Sequence, residues 1–350
     1  MDIVVLCGGL SPERNVSLSS GRKITAALKS LGHRAVLVDM YLGLEGFSGP
    51  LEAAFGLPLP EGADGIAEQE PVLDEVRRER RLRSRSLFGE RVLDICAAAD
   101  LVFLALHGKC GEDGRVQAAF DLLGIKYTGS GFLGSAAAMD KHLTKLVARS
   151  VGVRTPEWRL LGGSQLQNTA EIAKGSPLPC VVKPVDSGSS IGVEIARSAD
   201  ELSGALRRAA ESGSQALLEQ YIEGRDIQIS ILGGQPLPSI EILPIGGFYD
   251  YRRKYQPGCA EEISPARIPD EAESGLAAAA LAVYNALGLK SLARADFVLD
   301  TAGRFWFLEI NTLPGMTPTS LAPQEAAAAG MNYEQLCQRI IELALEEDGI

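Results

Sequence analysis

Histidine is scarce in this chain of 350 residues, and the cysteines show no spacing typical of a metal site. The chain has three histidines and six cysteines, and no two cysteines form the CxxC pair that zinc sites use. No apolar run is long enough to cross a membrane, and the first residues are strand-like rather than a charged leader. We therefore expect neither a zinc protein nor a membrane protein, and we predict a reduced, cytoplasmic setting.

Basic residues are outnumbered, with 34 lysines and arginines against 45 acidic residues and a net charge of −11. General nucleic-acid binders usually carry a basic surface, so the composition argues against that class. One basic run stands apart, and it contains Arg77, Arg78, Arg80, Arg81, Arg83 and Arg85. It could form an anion-binding or partner surface, or a solvated helix or loop. Charge runs are more typical of solvation, so we predict the second.

The length predicts two or three packed units. An apolar strand at 3–7, a helical pattern at 19–31 and a second strand at 34–39 indicate a βαβ start with a parallel sheet. Further along, we predict a helix over 139–151 and strands over 178–184, 192–196 and 215–221. We place unit boundaries near residues 140 and 226, which gives units 1–139, 140–225 and 226–350, with a less regular region over 49–96.

Two apolar strands near the C-terminus end in polar side chains. In the segment Arg304–Asn311, alternate side chains share a face, so Phe305, Phe307, Glu309 and Asn311 are expected to point the same way. Upstream, Arg294 and Asp296 share one face of another apolar strand. Carboxylate and carboxamide oxygens are ligands that Mg²⁺ prefers. One such pair could be a solvated strand end, but two pairs on neighbouring strands favour a metal and anion site.

Several other polar residues have two interpretations. The turn 185–191 could be an ordinary hairpin, or a loop whose N–H groups close over phosphates beside Lys183. Glu13 could cap a helix or bind a ligand, and His107 could be structural or lie beside a ligand. Most lysines face solvent, and we expect this of Lys145 and Lys174.

Taken together, these motifs closely resemble the D-alanine–D-alanine ligases of the ATP-grasp superfamily. The motifs follow the family's order, and they are Gly8-Gly-Leu-Ser-Pro-Glu13-Arg-Asn-Val16, His107 through Gly114, Met139-Asp-Lys141, Lys183-Pro184 with Gly188 through Gly192, Lys254-Tyr255, Arg294-Ala-Asp296, and Glu309-Ile-Asn311 through Ser320. The resemblance implies an α/β and α+β fold of the ATP-grasp type. Its parts are an N-terminal parallel-sheet domain, a central lid domain and a C-terminal domain that carries the metal strands.

The resemblance also implies a role for each matching residue. For ATP the matching residues are Lys141, Lys183, Ser190, Glu219, Ile222, Asp226 and Lys254, where aspartate replaces the family's usual glutamate at 226. For the two D-alanines they are Glu13, Val16, His107, Arg294, Ser320 and Leu321. For catalysis they are Glu13, Ser189, Tyr255, Arg294 and Gly315. For two Mg²⁺ or Mn²⁺ ions they are Asp296, Glu309 and Asn311.

The implied reaction uses ATP to join two D-alanines through an acylphosphate, releasing ADP and phosphate, for peptidoglycan synthesis in the cytoplasm. The resemblance also implies a homodimer, and the tyrosine at 255 implies a dipeptide rather than a D-lactate product. The nearest alternative is a ligase that uses D-serine or another D-amino acid second. An ATP-grasp carboxylase fits the motifs at Glu13 and Ser320 less well, and a nucleotide-binding regulator without turnover would not need Arg294 and the metal residues.

Overall fold

The computed structural model describes residues 1–44, 46–60, 71–81, 84–188, 191–211, 215–245 and 259–346. Its first unit is the predicted parallel sheet, in the order β2-β1-β3, built from β1 (Asp2–Cys7), β2 (Arg34–Asp39) and β3 (Leu101–Leu104). Helix α1 spans Arg14–Ser30 and begins five residues before the predicted start at residue 19. The early turn is stable because the Ser17 hydroxyl donates to the Ala105 carbonyl and accepts from the Gly8 N–H.

The remaining helices lie throughout the described part of the chain. They are α2 (Leu51–Ala54), α3 (Leu73–Glu79), α4 (Val92–Ala98), α5 (Arg115–Leu123), α6 (Phe132–Met139), α7 (Lys141–Ser150), α8 (Thr169–Lys174), α9 (Ala199–Glu211), α10 (Asp270–Ala286), α11 (Leu321–Ala328) and α12 (Tyr333–Glu346). In the part of the chain described, no helix combines the length and the apolar character that a membrane crossing requires.

The predicted helix over 139–151 is two helices that meet at Asp140. The Asp140 carboxylate accepts a hydrogen bond from the Leu143 N–H at 3.0 Å, so this residue caps a new helix. Helix α7 therefore begins with Lys141, one residue after the cap, and the lysine is held at a fixed position on the first turn.

The second sheet is antiparallel, in the order β4-β7-β5-β6. Its strands are β4 (Trp158–Leu161), β5 (Cys180–Pro184), β6 (Glu194–Ala196) and β7 (Ala216–Gln220). Helices α8 and α9 cover one face around a core that contains Leu202, Leu206 and Val182. The predicted turn between two paired strands is therefore confirmed, because β5 and β6 form a hairpin around it.

The third sheet carries the two polar strand ends. Its strands are β8 (Gly224–Leu232), β9 (Gln235–Pro236), β10 (Ile240–Pro244), β11 (Ala260–Ile263), β12 (Leu292–Asp300) and β13 (Phe305–Asn311), and the main order is β11-β10-β8-β12-β13. One face packs on α10 through Ile227, Ile229 and Ile231. The prediction that β12 and β13 are neighbours is confirmed.

The predicted alternation along β13 is wrong at one point. Asp296 lies opposite Glu309, but the next residue, Phe297, lies opposite Phe307, so Leu308 is an extra residue in the ladder. This bulge sends Phe307 into the core, where its ring lies 5.4 Å from that of Phe297, while Leu308 and Glu309 both line a cavity. A bulge commonly redirects a side chain at a functional site.

The basic segment is not uniformly solvated, which corrects the prediction for Arg80. Its guanidinium donates to the Ser86 carbonyl at 2.6 Å and to the Phe88 carbonyl at 2.5 Å, and it lies 4.5 Å from the centre of the Tyr41 ring. Arg80 is buried, so it stabilises the following loop against β2. Arg77 fits the prediction, being exposed and paired with Asp74. Arg83 lies outside the described residues.

The first and last parts of the chain share a hydrophobic core. Residues of β1 and α1, such as Ile3 and Leu28, pack with Met316, Leu336 and Ile340 from the C-terminal segment. Helices α1 and α12 are in direct contact. The N-terminal sheet and the segment after β13 are therefore fixed against each other, and this brings Glu13 towards the polar end of β13.

Candidate active site

Two rows of polar side chains cross the third sheet on one face. Strand pairing places Gln228, Asp296 and Glu309 in one row and Ser230, Arg294 and Asn311 in the next. The apolar residues between them, such as Ile229 and Ala295, face the opposite side and are buried in the core. The prediction that Arg294 and Asp296 share one face of their strand is therefore confirmed.

Each carboxylate in these rows is paired with a cation. Arg294 donates through Nε and Nη2 to the two oxygens of Asp296, at 2.8 and 3.0 Å. Lys141 Nζ lies 3.0 Å from Glu309 Oε2, and Lys141 also donates to the Ser187 carbonyl. Charge-assisted pairs of this kind hold side chains in a defined geometry. The Arg294 guanidinium and the Lys141 ammonium group could therefore bind a polyphosphate in place of their present carboxylate partners.

The acidic row has the chemistry of a hard-cation site. Asn311 Nδ2 lies 3.4 Å from Asp296 Oδ2, and the carbonyl oxygen of the same amide can serve as a metal ligand. Two carboxylates and one amide oxygen fit Mg²⁺ or Mn²⁺. No cluster of three acidic, histidine or cysteine side chains suited to a metal occurs in the described part of the chain. The amide oxygen of Asn311 is the third potential oxygen ligand beside the two carboxylates.

A cavity between the second and third sheets gathers the residues predicted to bind ATP. Its lining includes Lys141, Lys183, Ser187, Glu219, Ile222, Asp226, Asp296 and Glu309. Apolar side chains such as Val181, Ile195 and Leu308 cover its walls. An apolar slot that also contains lysines and carboxylates can take a flat base and its phosphates.

The Glu219 carboxylate is shared by two lysines, one of which the sequence does not reveal. Lys183 Nζ lies 2.6 Å from Glu219 Oε2, and Lys145 pairs with Oε1. Burial raises the pKa of Glu219, but the two lysine charges outweigh this effect and the pKa falls below its usual value. The expectation that Lys145 faces solvent is therefore wrong, whereas Lys174 is exposed as predicted.

Burial also explains the state of Lys145 itself. Its side chain is fully buried, which lowers its pKa to about 8, although the charge of Glu219 acts in the opposite direction. Lys145 Nζ donates to the Thr155 hydroxyl at 2.6 Å, and that hydroxyl donates to the Phe307 carbonyl at 2.8 Å. This chain of bonds connects the second sheet with β13 of the third.

On the other side of the polar rows, Glu13 is enclosed by glycines. It precedes α1 but makes no side-chain capping bond, so the cap interpretation is not supported. A Cβ atom at Gly108 would lie 2.5 Å from Glu13 Oε2, and one at Gly188 would lie 2.6 Å from the same atom. Because glycine has no side chain, the turn 185–191, called the lid turn below, and the loop that follows His107 can both approach the Glu13 carboxylate. Val16, one turn later, is buried.

His107 is buried between the first sheet and the segment after β13. Its Nδ1 lies 2.9 Å from the Leu313 carbonyl, and its Nε2 lies 3.4 Å from the Ser20 hydroxyl. Burial lowers the pKa of His107 to about 4, the hydrogen bond to Leu313 acts against this, and the charge of Arg294 adds to it. The imidazole is therefore neutral at neutral pH and donates from Nδ1 to Leu313.

We expect His107 to make the fold acid-sensitive. In the unfolded chain His107 takes up a proton near pH 6.5, but in the folded protein it does so only near pH 4. The contribution of the neutral, buried His107 to stability is therefore fully present above pH 6.5 and is lost as the pH falls from 6.5 to 4. The difference corresponds to about 3 kcal/mol. Urea unfolding of wild type and His107→Gln at pH 7 and pH 4.5 measures it. Equal losses on acidification in both proteins would contradict the assignment.

Glu112 is a site residue that the sequence interpretation missed. Its carboxyl oxygens accept hydrogen bonds from the Gly108 N–H at 2.8 Å and the Leu313 N–H at 3.3 Å. Burial, with the charge of Glu13, raises its pKa to about 8. The signal was present in the His107–Gly114 motif, which contains two acids, but only the structure shows that Glu112 joins this loop to the segment after β13.

The residues predicted for the second substrate lie at the start of α11. The Ser320 hydroxyl accepts from the Thr317 N–H at 3.1 Å, and a Cβ atom at Gly315 would lie 3.0 Å from Ser320 Oγ. Leu321 is buried against Ile240 and Ile242, so only its backbone N–H can face a ligand. Ser189, Ser190, Lys254 and Tyr255, also predicted for the site, lie outside the described residues.

Comparisons with known proteins match the whole chain. Two family models fit, described as the D-ala D-ala ligase N-terminus over residues 2–130 and C-terminus over residues 147–342. A D-alanine–D-alanine ligase of Pediococcus pentosaceus is 40% identical over 347 residues, which is 97% of each chain.

Solved structures agree with these matches. A Bacillus anthracis D-alanine–D-alanine ligase complexed with ATP has a TM-score of 0.75 and 33% identity, covering 100% of this chain and 99% of that one. The VanG D-Ala:D-Ser ligase of Enterococcus faecalis has a TM-score of 0.73 at 27% identity, and 98% of each chain is covered.

Proposed function

The chain belongs to the D-alanine–D-alanine ligase family, with the ATP-grasp fold, and we propose how its residues carry out that family's reaction. The enzyme is an ATP-dependent ligase that joins two D-alanines for peptidoglycan synthesis. One observation supports the assignment of roles above all others. The paired lysines Lys141 and Lys183 and the acids Asp296 and Glu309 line one cavity with Ile222 and its neighbours.

We assign ATP to this cavity. The base would lie against Ile222 and Leu308, with Glu219 accepting from its amino group, because a carboxylate already bonded to two lysines keeps lone pairs for a third donor. Asp226 would accept from ribose hydroxyls. Lys141 and Lys183 would then neutralise phosphates. When bound, two Mg²⁺ or Mn²⁺ ions held by Asp296, Glu309 and Asn311 would offset phosphate charge and align the transfer.

The first D-alanine would lie between Glu13 and the lid turn. Glu13 is the buried carboxylate there, so it would receive the ammonium group, with Val16 and His107 beside it. The substrate carboxylate would attack the γ-phosphate of ATP and form an acylphosphate, releasing ADP. On the family resemblance alone, Ser189 and Tyr255 are assigned to catalysis beside the substrates, and Ser190 and Lys254 are assigned to ATP.

The second D-alanine would bind where α11 begins. Ser320 and the Leu321 N–H would hold its carboxylate, and its amine would displace phosphate from the acylphosphate. The Arg294 guanidinium and the Gly315 N–H would stabilise the tetrahedral oxyanion, since Arg294 presents its donors as a rigid fork. Water has to be kept away from the acylphosphate, and the burial of Glu13, His107 and Asp296 supports this.

The reaction is tested by mass spectrometry of the products formed from ATP and D-alanine, with D-serine and D-lactate as competing acceptors. We expect D-alanyl-D-alanine as the main product and one phosphate released for each dipeptide. A dominant D-alanyl-D-serine product would instead favour the acceptor specificity of the VanG-type neighbour. Phosphate release without any condensed product would contradict ligation.

We also propose a cytoplasmic homodimer and the three units 1–139, 140–225 and 226–350. Leu122 and Leu123 at the end of α5, and Phe132 and Leu133 at the start of α6, are more than half exposed on two helices that pack together. Exposed apolar side chains in such number favour a protein contact. Light scattering of purified protein is expected to give twice the chain mass of 37.2 kDa, and a monomer at micromolar concentration would contradict the dimer.

A further inference from the structure

A buried serine–glutamate pair connects α11 with the active-site sheet. The Ser230 N–H donates to Glu325 Oε1 at 3.0 Å, and the Ser230 hydroxyl bonds to Glu325 Oε2. Both side chains are fully buried. Burial raises the pKa of Glu325 to about 8, while the Ser230 bonds and the charge of Arg294 act against this. A polar pair in such a place is costly to bury unless both groups are bonded, as they are here.

The pair lies next to the residues that handle the second substrate. Ser230 is on β8, directly opposite Arg294 on β12. Glu325 is on α11, and this helix begins immediately after Ser320. The two hydrogen bonds therefore connect the helix that presents Ser320 to the strand beside Arg294.

We propose that Glu325 is a positioning residue for the second D-alanine, acting through Ser230. The inference rests on the proposed roles of Ser320 and Arg294. A carboxylate bound by both groups requires them at a fixed separation, and displacement of a binding group by about 1 Å can cost about a hundredfold in rate. The two hydrogen bonds of the pair fix the position of α11 along β8. Apolar packing around Leu321 is less directional, so it specifies this position less sharply.

A second pair of the same chemistry provides a matched control. The Ser239 N–H donates to Glu273 Oε1 at 2.8 Å, and the Ser239 hydroxyl bonds to Glu273 Oε2. Ser239 is fully buried, as is Ser230. This pair connects the start of α10 to the segment before β10, and neither residue lines the ATP cavity. Loss of either pair removes the same two hydrogen bonds.

The test compares Glu325→Ala, Glu325→Gln and Ser230→Ala with Glu273→Ala. The KM for ATP and the KM for D-alanine at the second site, measured with the first site saturated, are determined for each folded variant. We expect Glu325→Ala to raise the second-site KM at least tenfold, with the KM for ATP within twofold of wild type. Glu325→Gln, which can bond to Ser230 in the same way, should stay within threefold.

The control variant is expected to lower thermal stability but leave both KM values unchanged. If Glu325→Ala fails to fold, the smaller change Ser230→Ala carries the test, with an expected rise of at least threefold at the second site. An unchanged second-site KM, or equal rises for ATP and D-alanine, would overturn the inference. Wild-type protein that forms no dipeptide would instead overturn the proposed function.

Discussion

Glu309→Gln is expected to lower kcat at least about a hundredfold while the protein stays folded. The change removes one negative charge from the acidic row but keeps the shape of the side chain, which is only partly buried and pairs with Lys141 at 3.0 Å. Loss of a charged metal ligand at phosphoryl transfer is worth about 3 kcal/mol or more, and about 3 kcal/mol corresponds to the hundredfold change. Steady-state phosphate release at saturating ATP, D-alanine and Mg²⁺ measures it.

The matched control for this change is Glu342→Gln. Glu342 is an exposed carboxylate on α12 that pairs with Arg339, so the variant carries the same change in net charge at a distant surface. Exposed pairs of this kind contribute little, and kcat should stay within twofold. If Glu309→Gln keeps a near-normal kcat at saturating Mg²⁺, Glu309 is not a metal ligand.

Periodicity in the sequence predicts most of the third sheet but not the bulge within it. The alternation in β8 and β12 correctly separates Ile227 and Phe297 in the core from Arg294 and Asp296 at the site. In β13, the same rule fails at Leu308, because an extra residue in the ladder is a property of strand pairing rather than of one strand's composition. Phe305 and Phe307 therefore pack on the core side, while Glu309 still faces the cavity.

Buried charges are the other part of the site that the sequence could not reveal. Lysine and glutamate side chains are seldom fully buried, so sequence alone favours a solvent-facing position for Lys145 and Glu325. Their burial depends on partners distant in sequence, Glu219 for one and Ser230 for the other. Only the fold brings those partners together.

Glu13 shows the limit of local inference in a different way. From the residues alone, a helix cap and a substrate site were equally consistent, and the family resemblance favoured the site. In the structure, Gly108 and Gly188 come from two other parts of the chain and both approach the Glu13 carboxylate closely. A contact between three separate segments has no periodic signal in the sequence.

The second large effect is expected at Glu219, where one buried carboxylate serves two buried lysines. Its replacement by glutamine leaves the buried amino groups of Lys145 and Lys183 with no carboxylate between them, so each stays charged without an anionic partner or loses its proton. Breaking a buried ion pair by removal of one partner costs about 3–5 kcal/mol. We therefore expect Glu219→Gln to lower the free energy of unfolding by about this amount, measured by urea unfolding at pH 7. The same change in Glu241, whose partner Arg225 is 41% exposed, should cost less.

A double-mutant cycle separates this explanation from a simple loss of packing. Lys145→Met alone leaves Lys183 and Glu219 as a neutral pair, so its cost should be moderate. In the Glu219→Gln background, however, Lys145→Met removes one of the two buried lysines that lack a carboxylate partner and should restore stability by about 1–3 kcal/mol, within the range typical of coupled neighbours. Additive losses in the double variant would show that the lysine does not depend on Glu219. Such a result would also count against the proposal that Lys183 binds ATP phosphates, which rests on a net positive charge of the three side chains.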